Sequence, residues 1–139
     1  MPSNTTPIFS KAGDIQWNDA SIVTANTTTD LTTGTSYLIF TADATNGGYI
    51  QKLRIRPLGT NVATVLRVWI NNGSTTGTAI NNVLYDEVSL AISTASQTSA
   101  LALYELPLNF ALPLGYRIYV TIGTGVSAGY DVTAIAGKY

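Results

Sequence analysis

Hydrophobic and polar positions trade places along this chain in short runs. In YIQKLRIRP at 49–57 they alternate at nearly every step, and VATVLRVWI at 62–70 does the same. That is the two-residue period of a strand, and no segment carries a convincing helical period. Runs of this kind, rich in β-branched and aromatic residues, predict strands at 15–25, 37–42, 49–57, 62–71, 82–91, 100–112, 116–123 and 130–136. Between them stand DLTTGTS, DATNGG, LGTN, NNGSTTG, LPLG and GTGVSAG, whose Gly, Asn, Asp and Pro are turn chemistry. About eight short strands so spaced predict an all-β antiparallel sandwich, jelly-roll-like as the first choice, with two four-stranded sheets. An immunoglobulin-like sandwich stays open, because alternation does not give topology.

Residues 1–14 differ from the rest: two prolines, polar residues and no alternation. They read as an N-terminal arm, either a frayed end or a peptide that orders on a neighbour, ahead of a sandwich domain at 15–139.

Alternation also assigns faces. In residues 49–55 Tyr49, Leu53 and Ile55 form the expected buried set, with Gln51 the odd member, and Ile50, Lys52, Arg54 and Arg56 face outward. In 62–70 the expected inward set is Val62, Thr64, Leu66, Val68 and Ile70, which leaves Ala63, Val65, Arg67 and Trp69 on the other face. The short PLGTN link makes the two strands expected antiparallel neighbours, so Arg67 should lie beside the Lys52–Arg56 ladder with Trp69 and Ile50 adding apolar area. Three of the seven cationic residues within five positions is a concentration that is either a solvated face or a contact face. Because Arg and Trp are enriched where proteins meet partners, Lys52, Arg54, Arg56, Arg67 and Trp69 are the candidate protein-contact residues. Asp86, Glu87 and Glu105 are candidate counter-charges, within the chain or across a subunit boundary.

Further on, LALYELPLNFALPLG places Leu101, Leu103 and Glu105 in alternation with Ala102, Tyr104 and Leu106, so neither face is cleanly polar. A strand apolar on both sides belongs in a closed core or an interface, and oligomerisation is the simplest remedy.

Composition narrows the chemistry. A net charge of −1 and only 11% charged residues supply no field toward nucleic acid or an anionic membrane, so neither is an expected partner. The start, MPSNTTPIFSKAGD, lacks the profile of a secretory signal, and no apolar run approaches the roughly 20 residues of a membrane helix. With no Cys and no His, imidazole bases, thiolate nucleophiles and the usual zinc ligands are excluded. A carboxylate pair is the surviving catalytic option, but Glu87 and Glu105 are the only glutamates and no aromatic-rich cleft surrounds them. The expectation is therefore no enzyme, no catalytic residue, no cofactor and no metal site; loop calcium near Asp30 or Asp43 has no specific support. Eight Tyr and two Trp leave a glycan open as a ligand on a carbohydrate-binding reading.

The runs FTADATNGGYIQKLRIRPLGTNVATVLRVWINNGS and ELPLNFALPLGYRIYVTIGT resemble those of small all-β accessory virion proteins of tailed bacteriophages, of the head-decoration or capsid-stabilising type. The likeness covers most of residues 8–136 and lies in pattern and phrasing, without a catalytic signature. It implies a β-sandwich, often jelly-roll-like and often trimeric, seated on a capsid surface. On that reading the partners are further copies of the chain, a trimer favoured, together with the major capsid protein or another virion protein. The location implied is the particle surface, after assembly in the host cytoplasm. A tail- or fibre-associated protein, or a phage-borne sugar-binding module, is the alternative.

Overall fold

The structure, a computed structural model, describes residues 12–139. It is all-β, with nine strands: β1 (Ala12–Gly13), β2 (Gln16–Trp17), β3 (Tyr37–Thr41), β4 (Gly48–Pro57), β5 (Thr64–Asn71), β6 (Asn82–Leu90), β7 (Tyr104–Leu112), β8 (Arg117–Ile122) and β9 (Tyr130–Lys138). A single 3-10 turn, Ala79–Asn81, precedes β6. Two antiparallel sheets result. One has the order β1-β9-β4-β7, with β2 also on β9; the other has the order β3-β8-β5-β6.

The pairing is nested. β5 pairs with β6, β3 with β8, β4 with β7 and β2 with β9, so the chain is one long hairpin folded over on itself. Two further ladders, β4 with β9 and β5 with β8, roll that hairpin into a sandwich. Alternation and turn spacing leave this topology open; the ladders between distant strands set it. Between the sheets lies one core cluster, built from Ile39 and Phe40 on β3, Leu53 and Ile55 on β4, Leu66 and Val68 on β5, Ile118, Val120 and Ile122 on β8, and Tyr130 and Val132 on β9. Each such aliphatic side chain, fully withdrawn from water, contributes about 1.5–3 kcal/mol before entropy is counted.

Two expectations about faces are corrected here. Ile50 is not outward; it is fully buried. The reason is a β-bulge: Ile50 pairs with Ala136 and Lys52 with Ile135, so Gln51 is an extra residue that resets the phase of alternation. Tyr49 then faces out, and Lys52, Arg54 and Arg56 keep their outward positions. In the 100–112 run, the strand begins only at Tyr104, and its alternation is clean. Leu106, Leu108, Phe110 and Leu112 turn inward or toward the open side of the sandwich, while Glu105, Pro107, Asn109 and Ala111 are exposed. The strand is not apolar on both sides; the surplus apolar residues Leu101 and Leu103 lie before it.

The predicted strand at 15–25 shrinks to β2. The following segment crosses the end of the sandwich instead, held by an isolated bridge between Ala25 and Ile122 and by Tyr37 Oη, which accepts from the Val23 and Thr24 amides. Of the expected arm, residues 1–11 lie outside the described residues, while Ala12 and Gly13 pair with Lys138 and Gly137 on β9.

Three of the four sheet edges carry an irregularity: β3 shifts register between Leu38 and Phe40, β6 bulges at Tyr85, and β7 bears Pro107 and a bulge at Asn109, whose φ of 54° an Asn tolerates well. Such interruptions blunt an edge against strand addition.

Candidate contact faces

The five residues named from the sequence do not form one surface. β4 and β5 are not neighbours; they belong to different sheets, so Arg67 and Trp69 stand on the far side of the molecule from the ladder. Six residues from Leu58 to Ala63 carry the chain across the sandwich rather than around a hairpin. Asn61 fixes that crossing from within: it is buried, its Nδ2 donates to Gly129 O at 2.9 Å, and its Oδ1 accepts from the Ala128 and Gly129 amides at 2.9 and 2.8 Å. A link pinned by this hub cannot close a tight turn.

Lys52, Arg54 and Arg56 line the outer face of the β1-β9-β4-β7 sheet. Glu105, opposite Arg54 on β7, partly neutralises them: Lys52 Nζ lies 3.2 Å from Glu105 Oε1, and Arg54 Nε lies 3.6 Å from the same oxygen. These pairs are solvent-exposed and worth about 0.2–1 kcal/mol each. Arg56 faces Asp131 across the ladder without an ion pair shorter than 4 Å among the described residues. Three cations against two carboxylates leave this face positive.

Beside the outward Tyr49, that face carries a second aromatic residue, Trp17, which sequence reasoning passed over. Trp17 pairs with Thr133, Thr133 with Arg54 and Arg54 with Glu105, so one row runs Trp17, Thr133, Arg54, Glu105 across four strands. At the usual strand spacing Trp17 and Arg54 are about 10 Å apart. Trp17 is 66% exposed, and Ile15 beside it is also exposed. Gln16 faces the other way and clips the two sheets together, its Nε2 donating to Thr41 O at 3.0 Å and its Oε1 accepting from Thr41 N at 2.9 Å. In IQW the polar residue therefore points inward and the apolar pair outward. A single glutamine making both backbone bonds inverts the usual pattern, and alternation alone reads it backwards.

On the opposite sheet Trp69 is only 1% exposed, and its Nε1 donates to Thr121 Oγ1 at 3.0 Å. By register it lies on the outer face, since its neighbours Leu66 and Val68 belong to the core set of β5 while Trp69 aligns with Tyr119. Loop 26–35 crosses this sheet between anchors on β8 and β6, and its Leu31 is buried like Trp69. Among the described residues Leu31 and Trp69 are the two buried apolar side chains outside the main core cluster. The loop is tied down on either side of the Trp69 row: Asn26 N donates to Ile122 O, in the Leu66 row, at 2.8 Å, and Asn82 Nδ2, in the Asn71 row, donates to Asp30 O at 3.0 Å. Inside it, Asn26 Nδ2 donates to Thr33 O and Thr35 O, both at 3.0 Å. Gly34, at φ 78°, fits where a Cβ would come within 2.8 Å of the Asn26 side chain. Asp30 accepts from the Thr32 hydroxyl at 2.7 Å and the Thr32 amide at 3.0 Å, and those bonds hold its carboxyl below its ordinary range. Arg67 is committed to this covered face, its Nε 3.2 Å from Glu87 Oε1. Neither Arg67 nor Trp69 extends the ladder.

A second exposed apolar strip lies along the free edge of β6: Ile80, 89% exposed, then Val83, Leu84 and Tyr85. Asp86 and Glu87 follow directly. This edge sits at the opposite side of the sandwich from Trp17, next to β7, where Tyr85 and Phe110 meet edge to face with centroids 5.1 Å apart and Tyr104 Oη accepts from Ala91 N at 3.0 Å.

Among the described residues no group of three or more carboxylates is placed to hold a metal ion, and no helix is long and apolar enough to cross a membrane. No protein-family model matches the chain, and no curated protein matches it. Among solved structures it is similar to the cyanophage Pam1 capsid asymmetric unit, at 10% identity over 99% of this chain and 94% of that one, with a TM-score of 0.39. It is also similar to dimeric latent PorU from Porphyromonas gingivalis, at 8% identity over 97% of this chain and a TM-score of 0.37. A third is the enzymatically active domain of tailspike protein 4 from bacteriophage CBA120, at 17% identity over 93% of this chain and a TM-score of 0.33. The chain spans 14% and 20% of the latter two. All three likenesses are distant.

Proposed function

We propose that the chain is a structural, non-catalytic component of a phage virion, a capsid decoration or stabilising protein that assembles with copies of itself, a trimer favoured, and with a virion protein. The observation that carries this reading is the pair of exposed apolar strips, at Trp17 and along β6, on an otherwise closely bonded sandwich. Exposed apolar groups gathered beside charge mark sites of association rather than of reaction. The phage assignment is supported by the sequence resemblance, whose two runs fall on β3 to β5 and β7 to β8, strands of the rolled hairpin itself. Lys52, Arg54, Arg56 and Trp17 form the contact face in this reading.

Trp17 also favours a second reading. An indole standing on a sheet face beside Thr133 is a platform on which a sugar ring can stack, as in a phage-borne host-adhesion module.

Purified particles of the phage encoding this chain test the first reading. Mass spectrometry should find the chain in stoichiometric amounts, and a cryo-EM map should place density of this sandwich on the shell. Particles free of the chain would overturn it. Glycan-array binding that disappears in Trp17→Ala, with no particle association, would favour the second.

A further inference from the structure

The two apolar strips differ in charge as well as position. Around Trp17 and Ile15 stand Lys52, Arg54 and Arg56 against Glu105 and Asp131, a positive balance; beside Ile80, Val83, Leu84 and Tyr85 stand Asp86 and Glu87 against Arg67, a negative one. They cannot meet within one chain. Trp17 belongs to the side of the sandwich where Gln16 clips β2 to β3, and the β6 strip to the side where Tyr85 meets Phe110.

We infer that the occupant of the Trp17 face is the β6 edge of a second copy of this chain, in a head-to-tail contact that joins the basic face of one protomer to the acidic edge of the next. Two unlike, complementary patches on one molecule are what a heterologous interface requires; such a contact closes into a ring when its rotation permits and otherwise grows as a chain. Charge sets the register, and the indole, Leu84 and Tyr85 supply the desolvated centre. The contact is made by side chains, not by strand addition, because the Tyr85 bulge interrupts the β6 edge. Loop 26–35 shows how this fold treats an outward Trp when chain is at hand to cover it; at Trp17 a neighbouring copy takes that role.

The inference deepens the oligomer part of the proposed function, and its test separates the two, because it uses the purified full chain without particles. Two variants carry it: Trp17→Glu with Arg56→Glu, which breaks the face, and Ile80→Lys with Val83→Lys, which breaks the edge. All four positions are exposed, so far-ultraviolet circular dichroism should match the parent. By light scattering at micromolar concentration the parent should be oligomeric and each variant monomeric. An equimolar mixture of the two should give a one-to-one dimer and nothing larger, since one intact junction is left. In the unmodified parent, carbodiimide cross-links in a mixed-isotope sample should join Lys52 of one copy to Asp86 or Glu87 of another. A monomeric parent, a mixture that stays monomeric, an oligomer lost in only one variant, or an absence of those cross-links in an oligomeric parent would overturn it.

Discussion

Each sheet presents a tryptophan and an arginine on its outer face, and the two faces have opposite fates. On β5, Trp69 is roofed by loop 26–35 and tied to Thr121, and Arg67 is held by Glu87. On β2 and β4, Trp17 and Arg54 stand in the same row with nothing of the described chain above them. The same residue types serve cohesion on one side and are left available on the other. What differs is the connection: ten residues of the nineteen-residue link between β2 and β3 lie on one sheet, while Trp17 stays exposed on the other. Whether an outward tryptophan is core or contact is decided by loop length and anchorage, not by its strand.

Truncating each indole in turn should give the largest difference between the two faces. Trp69→Ala should cost about 3–5 kcal/mol, because it empties a roofed cavity and strands Thr121, whereas Trp17→Ala in the monomer should stay within about 0.5 kcal/mol. Urea unfolding of both variants measures the difference, and equal losses would mean that Trp17 is as structural as Trp69. Next in size, Leu31→Ala should cost about 2 kcal/mol by opening the roof. In a Trp17→Phe background the same change should shift Trp69 emission to the red. Smaller again, Glu105→Gln should cost no more than about 1 kcal/mol, since it removes only exposed ion pairs, and high salt should erase the difference. The finest test is acid. The Thr32 bonds depress the Asp30 pKa, so their contribution is present above the ordinary carboxylate value and is lost as pH falls through the lowered one. Trp69 emission should therefore begin to redden below the usual carboxylate range, before global unfolding, while Trp17 in a Trp69→Phe background should not respond. Simultaneous change of both would show that the roof does not loosen separately.

Much of the fold was legible because period two and turn chemistry are local signals. The strands from β3 to β9 fall where alternation places them, give or take a few residues at their ends. The outward positions of Lys52, Arg54 and Arg56 were legible for the same reason. What failed depended on contacts distant in sequence. Ile50 was misassigned because a bulge at Gln51 is imposed by β9, and nothing in YIQK announces it. Arg67 was placed beside the ladder because PLGTN has the length of a hairpin turn; the buried bonds of Asn61 to Gly129, 68 positions away, make it a crossing instead. Trp17 went unnoticed because its partner in reversing the pattern, Gln16, acts through Thr41 on another sheet.

The nesting of the strands bears on timing. The β5–β6 pair closes across a ten-residue link, while β2 reaches β9 only from the other end of the chain: Val132 N donates to Asn18 Oδ1 across 114 positions. Closing large loops late is the economical route, so the hairpin is expected to zip from its tip toward its ends, with the row holding Trp17 completed last. A chain still folding would then lack the surface by which it joins others, and incomplete copies would exclude themselves from assembly without a separate inspector. Pulse-labelled hydrogen exchange should show amides of β5 and β6 protected before those of β2 and β9; the reverse order would remove that safeguard.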